Sequence, residues 1–365
     1  MTYDEEVLAD NPKGYWKLNE ASGLSAADSS GNNKTMTLIN TNGPWLRQPP
    51  LYKTLSNRSI YFNGNQQYAF RNYEAYFNFS YVTMECWAYM RPEAGVGFSL
   101  SKVESGGYAQ YVNAGYIDAN IWKNGAYIAN AGTAFPTINR PRHMVTTFDG
   151  RYVRHYIDGA LIFTRDSGAS HVLGYGNNVS LMIGANPSGT GSSIQTGNPP
   201  QGILSNLAIY DYVLSAARIA AHYAAAKRQV SGSIMESLVA GNFKLFAIDT
   251  DGELVGSKTV SGSPAGVSFD LDVFTDKPVY VTAHPDQGDI WQPGTAYAID
   301  DKVLASNTIS VPYYYKRLAA GTSGATEPTW TTTPGGRCDD GAVTDAWELV
   351  ERLSQPITHG PLTPT

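Results

Sequence analysis

Short β-favouring runs alternating with Asn-Gly and Asp-Gly pairs constrain this chain more than any other feature. The runs Arg58–Phe62, Val82–Met90, Tyr116–Trp122, Met144–Phe148, Tyr152–Ile157, Leu161–Thr164 and Ser180–Ile183 are separated by turn formers, with Asn63-Gly64, Asn124-Gly125, Asp149-Gly150 and Asp158-Gly159 the clearest. Such pairs supply the positive φ angles that a two-residue hairpin needs. Strands recurring at this spacing predict an all-β sandwich or jelly roll. Composition agrees: 36 Gly, 20 Pro and 24 Tyr beside only 16% charged residues favour pleated sheet over helix. A hydrophobic content of 42% provides a core and excludes wholesale disorder.

Within Val82–Met90 the alternation sets a register. Val82, Met84, Cys86 and Ala88 share the face predicted to meet the inter-sheet core, while Thr83, Glu85, Trp87 and Tyr89 point the other way. The pattern breaks at Ser215–Arg228, where Ser215 is an N-cap and Ile219, His222, Tyr223 and Ala226 share one face of a short helix. His222 in that stripe reads as a packed or hydrogen-bonded group.

The helix closes a first domain, 1–228, and 365 residues leave room for more. A fresh strand series over 229–289 predicts a small immunoglobulin-like or transthyretin-like sandwich. A Trp- and Tyr-rich stretch predicts a third β module over 290–353. Residues 354–365, with three Pro, read as a loose tail or docking strap.

Charge and apolar runs exclude several function classes. A net charge of -6 without a basic run argues against a nucleic-acid partner. Apolar stretches fall short of the roughly 18 residues a membrane helix needs, so no membrane insertion is expected. Met1–Asp10 is acidic and lacks the apolar region of a secretory signal, so the expected exit route is host lysis. Cys86 reads as a buried thiol and Cys338 lies in a Gly-rich turn, a spacing that supports neither disulfide framework nor zinc.

The first domain resembles the laminin-G-like, concanavalin A-type jelly-roll family. The resemblance runs through Ala9–Glu20, Asp28–Asn33, Ile60-Tyr61-Phe62-Asn63-Gly64, Val82–Ala88, His143–Gly150, Tyr156–Gly159 and Leu207–Ser215, in the family's order over some 220 residues. It implies a concanavalin A-like sandwich closed by a short helix and followed by the two small β domains. It also implies a calcium site, although Ser205-Asn206 replace the Asp-Glu pair common before the closing strand. Asp28 and Asn32 are the remaining candidate calcium ligands, the alternative being a plain Asx turn. No cofactor is otherwise required. The stretch from Trp291-Gln292-Pro293-Gly294 through Trp330 to Trp347 resembles a module of phage tail and fibre proteins, and is similar to small chitin-binding modules.

Catalysis is not expected. Glycosidases flank the scissile bond with two carboxyl groups about 5–10 Å apart, and Glu85 has no acidic companion at i+2 or i+4. No Gly-x-Ser-x-Gly elbow, His-Glu-x-x-His helix or phosphate loop is present. Sugar binding asks for aromatic rings that stack on pyranose faces. The candidates are Tyr108, Tyr111, Tyr116 and Trp122 near the Asn124-Gly125 hairpin, and Trp291, Tyr313 and Trp330 in the third module. The same rings could instead be core or interface groups.

The expectation is therefore a phage virion protein, a tail-fibre or receptor-binding component that attaches to host surface glycan. Its partners would be other virion proteins and further copies of itself in a homo-oligomer. A purely structural docking or decoration protein of the virion and a bacterial extracellular carbohydrate-binding adhesin are the alternatives.

Overall fold

The computed structural model describes the chain apart from residues 41–47, 49, 53, 56–57, 64–66, 91–95, 114–115, 129–132, 135–140, 196–200, 235–240, 263–266, 286–287, 307–312 and 353–356. The Asn63-Gly64 turn therefore lies partly outside the described residues. Two compact units form, Met1–Arg228 with Phe274–Asp276, and Gln229–Val273 with Lys277–Thr365.

The first unit contains α1 (Tyr3–Ala9), β1 (Gly14–Trp16), β2 (Ser25–Ala26), β3 (Met36–Ile39), β4 (Ile60–Asn63), β5 (Tyr68–Arg71), β6 (Val82–Met90), β7 (Val96–Val103) and β8 (Gly107–Asn113). It continues with β9 (Tyr116–Lys123), β10 (Ala126–Tyr127), β11 (Thr133–Ala134), β12 (Arg142–Phe148), β13 (Tyr152–Ile157), β14 (Ala160–Asp166), β15 (Leu181–Ile183), β16 (Gln201–Tyr210) and α2 (Ala216–Ala225). One antiparallel sheet has the order β1-β16-β6-β12-β13-β14, with β4 also on β16; the other runs β10-β9-β8-β7-β15-β5-β3-β2, with β11 on β9. Apolar faces of the two sheets meet in a core that includes Trp16, Phe62, Met84, Phe148, Ile183 and Leu207.

The register read from the sequence holds. Val82, Met84, Cys86 and Ala88 all belong to the inter-sheet core. A polar seam crosses that core, in which Gln110 joins Ser99, Met84 and Thr146, and the Thr146 hydroxyl lies 3.0 Å from His155 Nδ1. Burial pushes the Cys86 thiol up to about 12, so it stays protonated and inert.

The opposite face of β6 is also covered. Thr83, Glu85 and Trp87 are all buried, beneath α1 and α2. Ser215 caps α2 by accepting the Arg218 amide, as expected, and Ile219 and His222 are its buried residues. The first helix was not expected, yet Thr2 and Glu5 form a reciprocal capping box around its N-terminus.

In the second unit, Gly241–Asp249 pairs with Leu254–Gly262 and Val279–Pro285, and Arg228–Ile234 pairs with Val267–Val273. A separate five-stranded sheet spans Asp289–Ile290, Lys302–Leu304, Tyr313–Arg317, Arg337–Asp340 and Val343–Arg352. Of the two readings of 354–365, loose tail and docking strap, the pairing of Ile357–Leu362 fits the strap. Ile357–Leu362 is a strand on the edge beside Val279–Pro285, and Gln229 and Thr365 exchange two backbone hydrogen bonds. Pro361, lacking an N–H, is tolerated there because an edge strand leaves one side unpaired.

Candidate ligand-binding site

Two constellations in the first unit hold enough polar chemistry to be functional, and they differ in access.

The first is centred on Glu85. Tyr3 and Tyr210 donate their hydroxyls to its carboxylate at 2.7 and 3.1 Å, and His143 Nε2 donates at 2.8 Å. His222 Nδ1 lies 3.0 Å from Oε2, while its Nε2 lies 2.9 Å from Asp10 Oδ2. Burial alone would raise the Glu85 pKa, but His222 and then His143 hold it well below the carboxylate range. Burial would likewise lower His222, yet Glu85 and Asp10 raise it, so an imidazolium bridges two carboxylates. Arg218 extends the network to Glu6 and Asp10 at 2.6 and 2.8 Å.

Glu85, His143 and His222 have fully buried side chains. A carboxylate, two imidazoles and two phenols would suit acid–base chemistry, but here they are shut away from solvent. The arrangement fastens α1 and α2 to the sheet. Glu85 thus has acidic company after all, supplied by Asp10 from a distant segment rather than by its own strand.

The second constellation is an open cleft of about 430 Å³. One wall is the β9–β10 hairpin, in which Lys123 pairs with Ala126 and Trp122 with Tyr127. Asn124 at φ 51° and Gly125 at φ 80° make the turn that the sequence anticipates. Tyr127 is 39% exposed and stands edge-on to Trp122, their centroids 4.6 Å apart. Trp122 is set down by Gly174, where an added Cβ would come within 2.9 Å of its ring.

The other wall is the end of β14 with the segment after it: Arg165, Asp166, Ser167 and His171. Lys123 Nζ clamps this segment by donating to the Ser167 carbonyl at 2.9 Å and its hydroxyl at 2.7 Å. Asp166 is gripped by Arg151 at 2.9 and 2.6 Å and accepts the Gly168 amide, and this pairing holds its carboxyl at about 2. The buried Nε of Arg165 has no hydrogen-bond partner among the described residues.

The aromatic candidates scatter. Tyr108 is fully buried, stacked on Phe79 and bonded to the Phe77 carbonyl. Tyr111 is buried against Phe98. Tyr116 is 49% exposed at the far end of β9, paired with Asn113 and Ala134. Trp122 alone of these four adjoins the cleft, through Tyr127.

In the second unit, Trp291 is buried and its indole N–H points at Asp340, which also accepts Arg317 at 2.7 Å and Trp347 at 2.8 Å. Trp330 packs on Tyr315 at 4.2 Å, and Tyr313 is half-buried beside the same apolar cluster. Tyr108, Tyr111 and Trp291 are thereby corrected from stacking platforms to core groups, because no ring face is left for a sugar. Tyr127 and Arg165 were missed. Carrying the strand register through the Asn124-Gly125 turn would have brought Tyr127 opposite Trp122.

Asp28 and Asn32 do not fit calcium. The Asp28 carboxylate already accepts the Tyr15, Ser30 and Lys34 amides and the Ser30 hydroxyl, at 2.8 to 3.0 Å. Asn32 offers its NH2 group, to Pro12 and Ser30, and an amide donor is no ligand for a cation. Among the described residues, no three or more His, Cys, Asp or Glu gather as a metal site. The pair is an Asx-type turn.

The sequence model of the concanavalin A-like lectin/glucanases superfamily matches residues 62–220. The first unit is a concanavalin A-like sandwich. No curated protein sequence matches the chain. Among solved structures, the chain is similar to the binding domain of Paraclostridial Mosquitocidal Protein 1, at TM-score 0.47 and 12% identity, covering 95% of this chain and 92% of that one. It is also similar to the botulinum neurotoxin serotype D ligand binding domain solved with N-acetylneuraminic acid, at 0.45 and 10%, covering 96% and 98%.

Proposed function

We propose that the concanavalin A-like unit is a glycan-binding module and that the cleft between the β9–β10 hairpin and the end of β14 is its site. The observation that carries this reading is an exposed ring, Tyr127, beside a concave surface lined by Lys123, Arg165, Asp166 and His171. Sugar recognition combines a stacking ring with a few fixed polar groups in a cleft. The superfamily that matches 62–220 takes its name from lectins as well as glucanases, and the Glu85 cluster is closed to substrate. Both points support a binding role without turnover.

The chain as a whole is read as a phage tail-fibre or virion-surface component that attaches to host glycan, working as a homo-oligomer with other virion proteins. Support comes from the resemblance of 290–353 to modules of phage tail proteins. A glycan array probed with the full chain, with Tyr127→Ala beside it, tests the binding role. The expected result is saccharide binding by the native protein and at least a tenfold loss in the variant. Equal binding by both would move the site elsewhere.

A further inference from the structure

We infer that the cleft selects anionic saccharides, those carrying a carboxylate or an equivalent acidic group, over neutral ones. The inference rests on the glycan-binding reading of the cleft and adds the class of ligand. It comes from how the charges lining the cleft are already used.

The only carboxylate that lines the cleft among the described residues is spent. Both Asp166 oxygens take Arg151, and Oδ1 also accepts the Gly168 amide. The two cations are not answered in kind. Lys123 donates to a carbonyl and a hydroxyl, and the carboxylates that act on its charge, Asp166 and Asp149, are already paired with Arg151 and Arg154. Arg165 lies on β14, the edge strand of its sheet, and its Nε lacks any acceptor among the described residues. His171, exposed on the same segment, supplies further donor capacity.

A guanidinium pairs best with a planar, two-oxygen anion. The site thus presents a stacking ring and two cations, Lys123 and Arg165, against one carboxylate already paired with Arg151. A neutral pyranose would use the ring and leave the cations unpaired, whereas an acidic one satisfies both. Attraction of this kind is screened by salt when the pair is partly exposed.

The test titrates the full chain with polyuronate tetrasaccharides and with the same tetrasaccharides after carboxyl reduction, by calorimetry at 0.05 and 0.5 M salt. A sulfated neutral tetrasaccharide distinguishes a need for carboxylate from a need for negative charge. The expected result is at least tenfold tighter binding of the uronate than of its reduced form, a gap that narrows at high salt. Arg165→Gln should remove the preference without changing the melting temperature, and Lys123→Met should weaken it. Equal affinity for both forms, lost in Tyr127→Ala, would overturn the selectivity and leave the glycan site standing. No binding of any of the saccharides would overturn both.

Discussion

Sequestered chemistry around Glu85 and open chemistry around Arg165 stand in the same unit, and the difference is one of access. Glu85 has four side-chain partners and no exposure, so every charge at the centre is answered from within. The cleft has a half-exposed ring and two cations beside one carboxylate. Residue types alone would rank the first as an active site. Where the polar groups are shut away from solvent, they hold structure; where they line an open cleft, a ligand can meet them.

The largest effects should fall on the sealed side. Glu85→Ala leaves a buried imidazolium and two phenols without their acceptor, and should destabilise the concanavalin A-like unit by about 3–5 kcal/mol. Trp87→Ala should cost a similar amount, about 3–5 kcal/mol, because the ring is buried against Tyr3 and Tyr223 rather than lying on an open face. Cys86→Asp, on the other face of β6, should cost several kcal/mol by burying an unpaired carboxylate, roughly 3 or more. Chemical denaturation measures all three. A melting point unchanged by Cys86→Asp would refute the strand register.

Acid should act through His155, whose burial lowers its pKa from 6.5 to about 4. A folded pKa below the unfolded one means that the unfolded chain binds the proton first. Stability is therefore lost as pH falls from about 6.5 toward about 4, by about 3 kcal/mol in all. His222 has the opposite sign. Its raised pKa gives stability that is present below its unfolded value and lost as pH rises through the folded one. Melting curves from pH 4 to 9 should show His155→Gln flattening the acid limb and His222→Gln the neutral-to-alkaline limb. A shared limb for both variants would break the distinction between the neutral seam and the charged cluster.

Much of this was legible in the sequence, and the gaps follow a rule. Strand β6, the Asn124-Gly125 hairpin and α2 could be read because alternation, turn chemistry and capping are local. Thr83, Glu85 and Trp87 looked like a polar or open face because their covers are remote: Tyr3 is 82 residues from Glu85, and His222 is 137 away. Helix α1 carried its own local signal in Thr2 and Glu5, which the acidic character of the segment obscured. The cleft unites a hairpin at residue 124 with a segment at 165–171, so no single stretch of sequence displays it. Ile357–Leu362 escaped for the same reason, its pairing strand lying some 80 residues upstream.

The smallest stability effects belong to the open side. Tyr127→Ala and Arg165→Gln should change unfolding free energy by no more than about 0.5 kcal/mol, as surface substitutions outside a packed core do, while abolishing affinity or selectivity. Comparable losses of stability at both regions would erase the contrast between them.

Hydrogen–deuterium exchange of the full chain, with and without a saturating polyuronate tetrasaccharide, tests the division of labour most directly. The ligand should slow exchange at residues 122–128 and 165–171 and leave residues 3–10, 83–87 and 219–223 unchanged. Protection of the Glu85 cluster with no change at the hairpin would contradict it.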